Sequence, residues 1–549
     1  MKRFSLLAAA VLVFAAAFVA ISGAAPGDSL DFTSVATPNA SVSGVAPADK
    51  LAPEVHQVVV AQGSTALENP NGVITYYGYE ADVPNLVPTA ASPGTEAQKT
   101  EPDKNTYLVF KNGLHGADPS YDYGSHFLFQ GHEAGVTVAG SKQSYITRIN
   151  LDADAAHRVT LLAYQDENGK AIQPIDGSTW DPWAKKLLFT TENTNAPTYA
   201  AGADFPTTVE DLSGSLGRGG YEGIQDDGDG NIWIVEDIGG STKPGSVASK
   251  APNSFVYRYV PKTPGDLRNG KLQVLQALNG NGDPITFASQ AGVNNPDQVA
   301  LHAYGNSFKT NWVTIHDTAT DGSTPFVANP LAKAAGGTPF KRPENGVFRP
   351  GTNFGEFYFT ETGDTTATST ENPTAGGWGS VFKLSQSRPS DDHGRISVFF
   401  RGDQAHTGLD NITFLSRNQF SAVEDAGAGL HAVRGLDSGW VFDATSDYSK
   451  AGTTPIRWLA QGRDASATLD AGASPVGFGK NEDDNEITGI HVSNGDPGVN
   501  GILGAKAPNL ASGNSKWRWF YTRQHGDNPT FQVIYDGSGN RHDDGNFDD

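Results

Sequence analysis

Short runs of alternating apolar and polar residues recur along the chain, each bounded by Gly, Pro, Asn or Asp. Beyond Tyr107 they fall at Tyr107–Lys111, His126–Gln130, Tyr145–Asn150, Leu187–Thr191, Asn231–Glu236, Ser254–Val260 and Lys271–Leu275. Later runs are Trp312–Ile315, Glu356–Glu361, Ser380–Leu384, Ile396–Phe400, Gln419–Glu424, Gly429–Val433 and Trp517–Tyr521. A period of two over such lengths predicts strands, and no stretch sustains helical periodicity. The fold class expected is therefore all-β. The chain is long for one sandwich and has no midpoint linker, so a β-propeller is the better expectation. Asp229-Gly230-Asn231-Ile232-Trp233-Ile234 reads as a turn feeding an alternating aromatic strand, and Phe255 to Pro261 reads as the next strand. Long insertions at Thr263–Asn306 and Thr362–Gly376 are expected to decorate one rim and build a site there.

The N-terminus follows a different pattern. Lys2 and Arg3 form a positive head, Leu6 to Ile21 is nearly all apolar, and Ser22-Gly23-Ala24 supplies small residues for cleavage. Residues 1–24 are thus read as a signal peptide, in preference to a membrane anchor. A secreted or extracytoplasmic protein with no membrane in its mature form is expected. Residues 25–104, rich in Pro, Ala, Ser, Thr and Gly, predict an irregular lead-in with one early hairpin, Val55–Ala61 with Val73–Tyr79. The propeller domain is expected over 105–549.

Composition narrows the chemistry. With 61 Asp+Glu against 39 Lys+Arg the net charge is −22, which argues against a nucleic-acid partner, whose binding surfaces are basic. The absence of cysteine excludes disulfide frameworks, thiolate metal sites and cysteine nucleophiles. Carboxylates without soft ligands suit hard cations such as calcium. No HExxH pair and no Gly-x-Ser-x-Gly elbow is present. Gly217-Arg218-Gly219-Gly220 lacks the strand–helix context of a phosphate loop. The run Asp226 to Asn231 resembles a calcium loop, but the twelfth residue from Asp227 is Ile238 rather than Glu, so it reads as a hairpin turn.

Acids recur at the ends of the predicted strands, immediately before turns. They stand in Gly131-His132-Glu133, Thr191-Glu192-Asn193, Tyr221-Glu222, Glu236-Asp237, Arg342-Pro343-Glu344, Thr360-Glu361, Asp410-Asn411, Glu424-Asp425 and Glu486-Ile487-Thr488-Gly489. One such acid is more often a turn cap than a ligand. In a propeller, though, equivalent strand ends face one channel, and many acids meeting there either raise one another's pKa values or hold metal ions. Recurrence favours metal.

These motifs, Thr360-Glu361 excepted and taken in order, resemble the PhoX-type alkaline phosphatases, secreted β-propeller phosphomonoesterases. The resemblance also draws on Thr179-Trp180, Leu216-Gly217-Arg218, Tyr257-Arg258-Tyr259 and Gln524-His525-Gly526, and spans roughly residues 105 to 530. It implies a six-bladed propeller with calcium ions and a paired iron centre at one end of the channel. The metal ligands it implies are Glu133, Glu192, Glu222, Asp237, Glu344, Asp410, Asp425 and Glu486. Arg342 and His525 are the expected catalytic residues. Arg342 would grip two phosphoryl oxygens, or else form a structural ion pair with Glu344 or a nearby carboxylate. His525 would protonate the leaving group or hold a water, or else be a buried structural histidine. Two departures stand out. The family's bridging cysteine corresponds to Thr191, whose side chain is expected at the channel mouth, and Tyr221 stands where a histidine usually precedes the glutamate. The iron position is therefore expected to be altered, filled by another hard metal, or absent.

Two functions compete on this reading. One is a secreted, metal-dependent phosphomonoesterase, a monomer acting on a small phosphate ester. The other is a non-catalytic calcium-binding propeller, raised by the missing cysteine. A calcium-dependent lactonase or phytase is a third and weaker expectation.

Overall fold

The computed structural model describes residues 29–41, 47–79, 99–138, 141–242, 249–287, 295–364, 373–462, 486–511, 516–524 and 528–537. The expected signal peptide and His525 lie outside them. Most of the described strands form six antiparallel units of four, with Val136–Val138 and Ser141–Gln143 as a separate two-stranded hairpin, and the innermost strands of consecutive units touch in a closed cycle. In chain order those inner strands are Thr106–Val109, Ile175–Asp181, Tyr221–Asp226, Pro343–Phe348, Leu409–Phe414 and Glu486–Ser493. The architecture is all-β and propeller-like, as the pattern predicts.

Each junction between neighbouring units holds its own apolar cluster. Trp233 packs edge-on against Trp312 and Phe348, with ring centroids 5.0 and 5.1 Å away, between units three and four. Trp458 and Trp519 meet at 4.5 Å between units five and six. Hydrophobic burial thus sits between sheets, which leaves the axis free for polar groups. The strand Phe308–Asp317 pairs with Gly270–Ala277 on one side and His393–Arg401 on the other, joining units three and four into one nine-stranded sheet.

Two expectations are corrected. Val55–Ala61 is a strand, but it does not pair with Val73–Tyr79. It pairs with Thr530–Tyr535 and completes the sixth unit, while Lys50–Leu51 extends the fifth. A terminal strand recruited to the last sheet closes the ring, a non-local pairing that no local turn signal announces. Gly429–Val433 is not a strand either, but lies within the helix Gly427–Arg434. Its Arg434 is drawn to two buried carboxylates, Glu424 Oε2 at 2.8 Å and Asp437 Oδ1 at 2.7 Å, and Val433 is left exposed. The Asp226–Asn231 turn is the expected hairpin: Asp227 Oδ1 accepts from the Asp229 and Asn231 amides.

Candidate metal centre and active site

The site is built at the first residues of the inner strands. Asp176, Glu222, Glu344 and Asp410 each occupy the second position of their strand, Glu486 the first, and Asp103 precedes the strand of unit one. Ladder register shifts at four of these points, between Ile175 and Ser178, Tyr221 and Ile224, Pro343 and Gly346, and Leu409 and Ile412; in unit six the shift falls beyond Glu486, between Thr488 and His491. A bulge re-aims the side chain it carries, here toward the axis. Adjacent inner strands also approach too closely for a side chain on their backbone flank. A Cβ on Gly177 would lie 2.1 Å from the Glu222 carbonyl oxygen, and one on Gly223 would lie 2.8 Å from Asn345 Cα. Threonines fasten the acid-bearing peptides from the neighbouring unit: Thr190 donates to the Glu222 carbonyl and Thr360 to the Asp410 carbonyl.

A second set of acids comes from the turn after each second strand. Glu133, Glu192, Asp237 and Asp425 stand one residue beyond His126–Gly131 plus His132, Lys186–Thr191, Ile232–Glu236 and Gln419–Glu424. The residue before each turns into its own unit. Glu236 accepts from the Phe255 amide at 3.1 Å and the Tyr257 hydroxyl at 3.0 Å, and Glu424 accepts from Trp440 Nε1 at 2.9 Å. Thr191 occupies the same position, and its hydroxyl donates to the Pro197 carbonyl at 3.0 Å. The expectation that Thr191 lines the channel mouth is thereby corrected, because strand alternation gives the mouth to Glu192.

The two sets interleave into three triads whose oxygens lie within 4.8 Å of one another: Asp103, Glu133 and Asp176; Asp176, Glu192 and Glu222; Glu222, Asp237 and Glu344. Each combines the inner acid of one unit, the turn acid of that unit and the inner acid of the next. Burial, then mutual repulsion, raises the pKa values of Asp103, Glu192 and Glu222. Burial also raises that of Asp176, against the hydrogen bond with Glu222, which lowers it while raising that of Glu222. Glu344 and Glu486 are raised on the same grounds, and Asp410 is pushed up to about 7 by burial and the charge of Asp425. Such a ring is unfavourable when ionised and empty. All-oxygen, closely spaced donors, buried except at Glu133 and Glu192, fit hard cations, so the residues present suit calcium; they offer no soft ligand to select iron.

Polar side chains complete the wall. Thr488 Oγ1 donates to Asp103 Oδ1 at 2.6 Å, Gln524 Nε2 to Asp103 Oδ2 at 3.1 Å and Glu133 Oε2 at 2.8 Å, and Thr362 Oγ1 to Glu344 Oε1 at 2.7 Å. Arg342 caps the third triad. Its Nε and Nη2 both stand 2.7 Å from Asp237 Oδ2, and Nη2 lies 3.4 Å from Glu344 Oε1. It adopts a left-handed backbone, φ 56°, which is costly for any residue with a Cβ and is held by the Thr362 amide donating to its carbonyl at 2.9 Å. Its side chain keeps 21% exposure.

Residues 247–492 match the alkaline phosphatase PhoX family. The resemblance carried by the motifs is thus borne out. No curated protein matches the chain. Among solved structures, PhoX of Pseudomonas fluorescens in complex with vanadate, a transition state analogue, superposes with a TM-score of 0.54 at 10% identity, covering 92% of this chain and 98% of that one. At that identity the likeness shows the fold. A family AA12 carbohydrate-active enzyme of Trichoderma reesei covers 90% of this chain and 99% of its own at 12% identity, with a TM-score of 0.25 that bears no argument.

Of the residues singled out in the PhoX-like motifs, Glu133, Glu192, Glu222, Asp237 and Glu344 enter the triads, and Arg342 contacts the last of them. Asp410, Asp425 and Glu486 stand on the adjoining arc, where the charge of Asp425 acts on both of the others. Asp103, Asp176 and Lys104 were missed, and Gln524 stood in a motif without a role. Asp176-Gly177 repeats the Glu222-Gly223 pattern of acid followed by Gly, with Asn as the follower in Glu344-Asn345 and Asp410-Asn411, a signal that would have found it.

Proposed function

We propose that the chain is a secreted, metal-dependent phosphomonoesterase acting on a small phosphate ester, with calcium in the carboxylate triads. The observation that carries this reading is the run of three triads sharing Asp176 and Glu222, with Arg342 at its end. Bound hard cations supply Lewis-acid charge to phosphoryl oxygens. The chain's own residues supply position. Arg342 is oriented by Asp237 and Glu344 and presents a planar fork to a phosphoryl group at the mouth. Gln524 holds Asp103 and Glu133 in a fixed geometry. His525, the next residue, is the candidate proton donor to the leaving alkoxide. An iron or other hard metal beside calcium is part of the proposal, with Glu192 rather than Thr191 available to it. The match to the PhoX family over residues 247–492 supports the reaction class.

A calcium-stabilised, non-catalytic propeller is the second reading, favoured by the absence of cysteine and by the inward turn of Thr191. Elemental analysis beside hydrolysis of a chromogenic phosphate monoester, with and without chelator, separates the two. Chelator-sensitive turnover supports the enzyme. Bound calcium without turnover supports the scaffold.

A further inference from the structure

The triads cover one arc of the ring. They stand at the junctions of units one and two, two and three, and three and four; among the described residues no other three acids come as close. At the next junction the turn position is Thr362, whose hydroxyl is spent on Glu344. The carboxylate pattern is broken there, yet Asp410 stays buried and Glu486, at the start of the inner strand of unit six, is half-buried.

Lys104 reaches this arc from the opposite side. It belongs to the segment leading into the inner strand of unit one, and its ammonium donates to Ile490 O at 2.9 Å, Asn411 Oδ1 at 3.2 Å and Asn345 Oδ1 at 3.5 Å. These acceptors come one each from the inner strands of units six, five and four. Asn411 is oriented for the task, since its Nδ2 donates to Asp410 Oδ1 at 2.8 Å and Thr488 Oγ1 at 3.2 Å, which aims its oxygen at the amine. The lysine is 4% exposed. A buried ammonium is costly unless oxygens and opposite charge surround it, and here Asp103, Asp176 and Asp410 supply that charge. Three converging neutral oxygens beside carboxylates form a set that a hard cation also takes.

We propose that Lys104 is a built-in cation of the ring: its ammonium fills the axial position facing units four to six and so confines divalent ions to the three triads. This rests on the reading of the triads as calcium sites, but not on any catalytic activity. Lys104 is a positioning residue here, acting through Asn411 and Asp410.

The test uses the full mature chain and its Lys104→Met and Lys104→Gln variants, equilibrated with calcium and measured for calcium per chain by elemental analysis and titration calorimetry. Removing the ammonium should open its oxygen cradle, so that each variant binds about one more calcium than the wild type. Equal stoichiometry and affinity in all three proteins would overturn the inference. If the variants unfold in low calcium, refolding on calcium addition supports it, and failure of calcium to restore them overturns it. Phosphate ester hydrolysis measured alongside keeps the two readings apart. A wild type without turnover sinks the phosphatase and leaves the calcium gain to decide Lys104.

Discussion

Asp176 and Glu222 face each other across the junction of units two and three, close enough to share a hydrogen bond, and each belongs to two triads at once. Glu133, Glu192, Asp237 and Glu344 each belong to one. Sharing makes the effect of a substitution depend on position rather than on charge alone. Asp176→Asn should lower calcium per chain about twice as much as Glu133→Gln, because one removed charge weakens two sites instead of one. Elemental analysis of both variants decides it; equal losses would show that the triads do not act as adjoining sites.

The same acids set the pH response. The folded-state pKa values of Asp103, Asp176, Glu192, Glu222, Glu344 and Glu486 are raised, and that of Asp410 stands near 7 against 3.8 for a free aspartate. Between the unfolded and folded values the native state binds more protons than the unfolded chain, so stability falls as pH rises. For Asp410 that window runs from about 4 to about 7. Metal-free protein should therefore melt highest at mildly acidic pH and lose melting temperature up to neutrality. Calcium should flatten the slope, because it binds the ionised folded state alone. A chelated protein whose melting temperature rises from pH 5 to pH 7 would falsify this account of the ring.

What the sequence revealed follows from where each strand lies. Glu356–Glu361 and Gln419–Glu424 were legible to the residue because they sit in the middle of sheets and bury apolar faces against neighbouring units. Ile175–Asp181, Tyr221–Asp226, Pro343–Phe348 and Leu409–Phe414 were not read as strands. Their residues line a polar channel, so Asp176, Gly177, Glu222, Gly223, Glu344 and Asn345 interrupt the apolar alternation that marks a strand. Reading acids at strand ends as convergent was enough to find Glu133, Glu192 and Asp237. It missed Asp103 and Lys104, because the segment before Thr106 looks like lead-in until the ring closes around it.

Arg342→Lys separates charge from shape. A lysine keeps the positive charge beside Asp237 and Glu344 and so should leave folding and calcium content close to wild type. It cannot offer two parallel N–H donors to one phosphoryl group. Turnover of a phosphate monoester should fall on the order of 100-fold, the scale of losing one preorganised donor to transition-state charge. Unchanged turnover with unchanged calcium would leave Arg342 a structural partner of Asp237 and nothing more.

Thr191→Cys tests whether a soft ligand at this position restores iron selection. The hydroxyl is committed to the Pro197 carbonyl and the side chain is fully buried. A thiol there would be a poor replacement donor, with no metal-facing geometry. The expected outcome is no gain of iron and a small loss of stability, about 1 kcal/mol, from the weakened hydrogen bond. Iron binding by the variant, seen by elemental analysis, would show that the segment around Glu192 rearranges when metal is present.

The last prediction concerns closure. Val55–Ala61 pairs along Thr530–Tyr535, with Val59 opposite Phe531 and Val55 opposite Tyr535, and it is the outer strand of the sixth unit. Val55 also packs in the apolar cluster of Phe531, Val533, Trp458 and Trp519 between units five and six. A chain beginning at residue 62 lacks this strand and leaves the Thr530–Tyr535 edge unpaired. Each large apolar side chain uncovered costs about 1.5–3 kcal/mol, and an open edge invites pairing with other chains. Such a protein should unfold at a clearly lower urea concentration and aggregate on warming. Adding the excised strand back as a peptide covering residues 47–61 should recover part of the loss, because the pairing is non-covalent. A truncated protein as stable as the full one would mean that the ring is held by its inner contacts, and that the N-terminal strand only decorates it.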